Sequence, residues 1–232
     1  MQGISIRWRV RLYKRKPFVT IYLEKGWIMR ALYNIKNFWY HIIKEEVSLL
    51  HRMIRGVTNM SEFKKIQPEQ VSRNPFTLIG RDWALLTGGT PKKCNPMTVS
   101  WGGVGVLWNK PVATVYVRPQ RYTLEMLYAE DQFTLCFFEE GTHRDTLAYC
   151  GKVSGRDTDK VKDCGLTVID FDGAAGFQEA DLVLVCNKKY VGELKEENFC
   201  DMAICKKDYP NQDYHKIFIA EITAVYQKEK KD

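Results

Sequence analysis

The rhythm of apolar residues changes near residue 60. From 27 to 54 they recur as Ile28, Leu32, Ile35, Trp39, Ile42, Val47, Leu50 and Ile54. That is the period of an amphipathic helix, here with Lys and Arg on its flanks. Before it, 18–23 is a short β-like stretch among basic residues. Beyond 60 the apolar runs are short and strand-like. Strands are expected at 83–87, ending at Gly88-Gly89, then along 97–106, and at 112–117 after a turn at Asn109-Lys110-Pro111. The continuous run 133–138 reads as a buried strand. Further strands are expected at 166–169, 182–190 and 215–226, with short helices at 123–129 and 143–149, the second ending at Gly151. The helices do not alternate regularly with the strands. The pattern therefore predicts a mainly β barrel with short helical excursions, not a doubly wound sheet.

Charge sharpens the division. The chain of 232 residues carries a net charge of +7. Residues 1–59 hold twelve Lys/Arg against three acids, and the first Asp is Asp82. The body, 60–232, is slightly acidic, with 23 basic and 25 acidic residues. A nucleic-acid partner is therefore not expected, because the basic charge is not a property of the body. The expected domains are a basic N-terminal extension at 1–59, helical if ordered, and a single body at 60–232. Contact with a membrane is expected only if the 27–54 helix forms and is exposed. Another reading takes 1–59 as upstream sequence included by a misassigned start: Met60-Ser61-Glu62 resembles a bacterial protein start. Arg55-Gly56-Val57 can be encoded as a purine-rich run like a ribosome-binding site. N-terminal sequencing of the native protein separates the readings, and a peptide from 30–55 refutes the second.

The seven cysteines, at 94, 136, 150, 164, 186, 200 and 205, show no CxxC pair and no Cys/His cluster of metal-site spacing. No metal is expected. Free thiols in a reducing cytoplasm are the simplest reading, and the first thirty residues lack the pattern of a secretory signal.

Candidate chemistry concentrates between Cys94 and Thr123. Thr98 and Ser100 are two apart on an extended run, so their hydroxyls share a side. Gly102, Gly103 and Gly105 allow a ligand close to the backbone. Arg118, Arg121 and Thr123 return on the far side of a hairpin, and Trp101 and Trp108 offer flat faces to a ring. Hydroxyls, amides and guanidiniums together suit a phosphate. The glycines do not complete a dinucleotide fingerprint, there is no Walker sequence, and Trp, Thr and Ser in a hairpin often serve sheet packing alone. The stretch 150–160 is a second possible anion contact, or a solvated loop capping a helix that begins near Asp157. His215, at the entry to the last strand, is the candidate catalytic residue, as a proton donor or a ring-stacking partner for a ligand, or else a partly exposed histidine without a task. His143 sits at a helix start. No Ser-His-Asp order stands out.

These words, in order, resemble the flavin reductase-like proteins, including the flavoredoxins. The run 95–103 (NPMTVSWGG), then 107–111 (LWNKP) and 117–123 (VRPQRYT) carry the likeness. So do 133–138 (FTLCFF), Cys150-Gly151 with Ser154-Gly155-Arg156-Asp157, 180–184 (ADLVL) and 213–222 (DYHKIFIAEI). The likeness spans about 62–228 and leaves the leader without a counterpart. Pro96 and Ala220 are modest departures, where small polar residues and Gly are common.

The resemblance implies an FMN-binding split β-barrel and a homodimer with FMN held non-covalently near the subunit interface. It implies flavin reduction by NADH or NADPH, or electron transfer with a protein donor or acceptor. Carried over by position, Asn95, Met97, Thr98, Val99, Ser100 and Trp101 would line the flavin. Arg118, Arg121, Tyr122 and Thr123 would lie near its phosphate. Ser154, Arg156 and Asp157 would close over it, and His215 would approach it. The cofactor carries the hydride chemistry, so no catalytic acid or base is compulsory.

Overall fold

The computed structural model describes residues 62–229 with Met60, and two strands nearer the N-terminus. Those two, β1 (Val10–Tyr13) and β2 (Lys16–Val19), pair antiparallel. The rest of the leader, including the expected helix at 27–54 and most of the β-like stretch at 18–23, lies outside the described residues. The chain divides into two units at 54/55, and the second carries all the candidate chemistry.

At the centre of this second unit is an eight-stranded antiparallel sheet. The strands are β3 (Phe63–Ile66), β4 (Ala84–Thr90), β5 (Lys93–Val99), β6 (Gly102–Leu107), β7 (Lys110–Val117), β8 (Gln132–Phe137), β11 (Leu182–Glu193) and β12 (Lys216–Lys228). Their order is β5-β4-β8-β11-β12-β7-β6. A separate hairpin joins β9 (Val168–Phe171) to β10 (Ala174–Phe177). Short helices at Pro75–Gly80, Thr123–Ala129, Arg144–Lys152, Lys160–Asp163 and Met202–Asp208 fill the connections. Mainly β with short helices, the architecture is the expected one.

One edge of β12 serves two partners. Its first half, Lys216–Glu221, pairs with β7, while Val225–Lys228 pairs with β3. Between them the sheet parts. An apolar opening of about 190 Å³ lies there, lined by residues including Val71, Leu78, Val104, Leu184, Ile222 and Val225.

Alternation along the strands builds two cores. Leu86, Met97, Val99, Val115, Val117, Leu135, Leu184 and Phe218 belong to one. Their neighbours Leu85, Cys136, Val183 and Val185 face the other, with Phe171 and Phe177 of the β9–β10 hairpin and Leu147 of the 144–152 helix. A period of two in a sheet buried on both faces reads as a continuous apolar run, which is why 133–138 was legible as a buried strand.

Several boundaries differ from expectation. β4 does not stop at Gly88-Gly89, because both residues are paired across to Asn95 and Cys94. Gly89 has φ +98°, and a Cβ there would meet the Lys93 carbonyl at 2.2 Å, so the position requires glycine. The run 97–106 is broken at Ser100-Trp101, because β5 and β6 stand at opposite ends of the strand order. The hairpin between β6 and β7 turns at Trp108 and Asn109, φ 55° and 56°, one residue earlier than expected. Two left-handed residues in a two-residue loop match the twist of the strands they join. The 144–152 helix is preceded by His143 in the left-handed region, stacked 4.4 Å from Phe138, which gives that histidine a packing role. The helix expected near Asp157 begins at Lys160, with Asp159 accepting from the Val161 and Lys162 amides.

Candidate functional site

Strand parity sorts the residues of β5. Met97 and Val99 point into the barrel core, and Asn95 shares their parity. A buried amide needs a partner, and Asn95 Nδ2 donates to Thr123 Oγ1 at 2.6 Å. Both residues are almost fully buried. Thr98 and Ser100 take the other side, as the spacing predicts.

There, Met97, Thr98, Val99, Ser100, Trp101, Tyr116, Arg118, Arg121 and His215 line a cleft of about 190 Å³. For Met97 and Val99, whose side chains pack in the core, a ligand contact would fall to the backbone. Thr98 Oγ1 donates to the Leu147 carbonyl of the 144–152 helix. Arg121 Nη1 donates to the Gly151 carbonyl at 2.6 Å. Arg118 pairs with Asp213 at 2.5 Å, donates to the Asp208 carbonyl at 2.8 Å and lies over the Tyr209 ring. The lining contains two guanidiniums and three hydroxyl-bearing side chains and, among the described residues, no carboxylate. Trp101, 48% exposed, leaves a broad apolar face at the mouth.

His215 is 7% exposed. Its ring lies 5.2 Å from that of Trp101, and Nδ1 is 2.7 Å from the Tyr209 hydroxyl. Burial, together with the Arg118 and Arg121 charges and against the pull of Asp213, lowers its pKa from the ordinary 6.5 to about 4. The imidazole is therefore neutral at neutral pH. His215 is thus a buried cleft residue and not the partly exposed histidine of the alternative reading.

The remaining predicted residues assemble elsewhere. A larger cleft, about 540 Å³, is lined by residues including Lys92, Lys93, Asn95, Tyr122, Arg156, Asp157 and Lys160. Gly155 is pressed against Asn95 and Tyr122, so the 154–157 loop is docked onto β5 and the end of the 117–123 segment. Arg156 donates to the Gln120 carbonyl, pairs with Glu125 and lies over the Tyr122 ring. Ser154 Oγ accepts from the Arg156 amide at 3.2 Å. The residues expected to form one site thus form two clefts that share β5. Thr123 and Ser154 line neither.

Sequence reasoning missed two neighbours, Tyr116 and Tyr209, and gave a third, Lys160, only as the end of the 150–160 stretch. Tyr116 stands two residues from Arg118 on β7, and parity was enough to place it in the cleft. Tyr209, the hydrogen-bond partner of His215, had no local signal. Lys160 is 3% exposed, and its Nζ donates to the Cys150 carbonyl at 3.1 Å. Burial lowers its pKa, and the nearby Arg121 charge acts in the same direction.

Solved structures share this architecture. An FMN-binding protein from Thermus thermophilus, with bound p-hydroxybenzaldehyde, aligns over 71% of this chain and 78% of its own at a TM-score of 0.50 and 19% identity. An FMN-binding domain of a flavin reductase-like enzyme from Shewanella baltica aligns over 72% and 77%, at 0.51 and 16% identity. Flavoredoxin of Desulfovibrio vulgaris (Miyazaki F) aligns over 71% and 78%, at 0.50 and 18% identity. The fold is the FMN-binding split barrel. No protein-family model matches the chain, and no curated protein matches it. Among the described residues no helix is long and apolar enough to cross a membrane.

Proposed function

We propose that this chain binds FMN non-covalently and acts as a flavin reductase, with NADH or NADPH as hydride donor. The observation that carries the proposal is the carboxylate-free cleft of Ser100, Trp101, Arg118, Arg121 and His215, set in a split barrel. Its donor set suits a phosphate monoester, and Trp101 suits a flat ring beside it. Arg118, Arg121 and the Ser100 hydroxyl would hold the phosphate, and the 95–101 run would line the ring. When bound, FMN supplies the two-electron acceptor.

The chain's own residues position and shield. Arg121 is braced by the Gly151 carbonyl, and Arg118 by Asp213, so both guanidiniums are held before any ligand arrives. His215, neutral and tied to Tyr209, presents a polar edge without adding a charge. A homodimer forms part of the proposal. Among the described strands β6 pairs only with β7, leaving its second edge and the exposed Val106, Leu107 and Trp108 for a second copy. The place of action is proposed as the cytoplasm, on the thiol content.

A second reading is a flavoredoxin-type carrier that takes electrons from a protein partner without NAD(P)H turnover. The likeness to Desulfovibrio flavoredoxin keeps it in view. Anaerobic mixing of the FMN-loaded protein with each nucleotide tests the two. Rapid bleaching of the flavin band is expected. No bleaching with either nucleotide, while a ferredoxin-like donor succeeds, overturns the reductase reading. Failure to bind added FMN overturns both.

A further inference from the structure

Cys150 and Cys164 are the two cysteines in sulfur–sulfur contact among the described residues, with Sγ atoms 3.9 Å apart. Fourteen positions separate them in sequence. Cys150 lies near the end of the 144–152 helix, and Cys164 directly follows the 160–163 helix. Both anchors are pinned. The Cys164 amide donates to the Lys160 carbonyl at 3.1 Å, and Lys160 Nζ reaches back to the Cys150 carbonyl. Tyr149, next to Cys150, donates to Asp163, next to Cys164, at 2.7 Å. These cross-links hold the two backbones in register before any sulfur chemistry. A disulfide needs sulfurs about 2.05 Å apart, so the remaining approach is about 2 Å.

We propose that Cys150 and Cys164 form an oxidisable dithiol that hydrogen peroxide closes to a disulfide. The thiols divide the work by exposure: Cys164 is partly exposed and Cys150 buried. The Cys164 thiol attacks peroxide, giving a sulfenic acid and one water. The Cys150 sulfur then displaces the hydroxyl from that sulfenic sulfur, forming the S–S bond and a second water. Two thiols are oxidised by two electrons and one peroxide is reduced. Burial raises both thiol pKa values, Cys150 to about 12, while the Lys160 charge draws both back. The reaction is accordingly one of sustained exposure to oxidant. The bond would close a loop over 151–163. That loop contributes Gly155–Lys160 to the larger cleft and the Gly151 carbonyl that braces Arg121. The chemistry itself does not depend on the flavin reading.

The test uses the full chain under native conditions, exposed to hydrogen peroxide, alkylated, unfolded and digested. Mass spectrometry should find Cys150 and Cys164 peptides joined, with free thiols falling from seven to five and recovering with dithiothreitol. Hydrogen exchange across 151–163 should slow in the oxidised form. Cys164→Ser, at the partly exposed position, should abolish the link and leave Cys150 reduced. Cys200→Ser removes an exposed thiol and should leave the rate of closure unchanged. Oxidation confined to Cys200, or a 150–164 link that appears only after unfolding in urea, overturns the proposal.

Discussion

Acidification through the range where histidine titrates should destabilise the fold, with His215 a definable part of the loss. The unfolded chain binds a proton at His215 with a pKa near the ordinary 6.5, while the folded chain resists until about 4. Between those values the unfolded state holds more protons, so stability falls as pH falls. The linkage relation gives a loss of about 1.4 kcal/mol at about pH 5.5 and about 3 kcal/mol at about pH 4. Carboxylates with lowered pKa values, Asp82 and Asp213 among them, lose stability in the same direction at lower pH. A comparison with His215→Gln isolates the histidine. Urea unfolding at a series of pH values should show the wild type losing stability below about pH 6.5 faster than the variant, by the amounts above. Ring-proton NMR should place the folded His215 midpoint well below 6.5. Parallel loss in the two proteins, or a midpoint at 6.5, would refute the assignment of a buried, neutral histidine beside two guanidiniums.

Other substitutions test separate parts of the site. Gly155→Ala places a Cβ 1.8 Å from Asn95 Oδ1 and 2.9 Å from the Tyr122 ring. It should cost about 1–3 kcal/mol in chemical denaturation, and an unchanged midpoint would show that the loop is not docked as described. Arg121→Met should weaken FMN binding about ten- to a hundredfold in a fluorescence titration, and more than Arg118→Met does; the reverse order contradicts the electrostatic account of the cleft. Trp101→Ala, at a half-exposed position, should change stability by no more than about 0.5 kcal/mol while lowering flavin affinity; equal affinity removes the tryptophan from the ring site.

Much of this was legible because a sheet writes itself into parity. The 133–138 run, the β-branched 112–117 run and the Thr98/Ser100 alternation each translate directly into the strands and cleft wall observed. Gly88-Gly89 read as a strand end because glycine costs backbone entropy in a strand. The observed pairing on both sides of β4 outweighs that cost, a tertiary effect that a local reading does not contain. The division of the candidate residues between two clefts was hidden for a similar reason. Asn95 and Thr98 are three positions apart, hence on opposite faces, and only the folded chain shows that Thr123 and Gly155 come to meet Asn95. Tyr209 reaches His215 through a connection with no periodic signal.

The end of the 144–152 helix explains how the cleft can keep positive charge. The last carbonyls of a helix lack intrahelical partners and carry its negative pole. Here the Cys150 and Gly151 carbonyls accept from Lys160 and Arg121. Arg121 is thereby oriented by partial backbone charge and not by a carboxylate, which leaves most of its full charge for an incoming anion. Arg118 is held differently, by Asp213, which cancels much of its field. Two arginines that look equivalent in the sequence are therefore unequal in the structure. One is a positioned charge, and the other is largely half of an ion pair. Any anion that enters must also compete with no carboxylate in the lining itself. Under the proposed FMN reading, a preference of the cleft for a phosphate would follow from which groups brace its guanidiniums, and the helix that braces Arg121 is the one that carries Cys150.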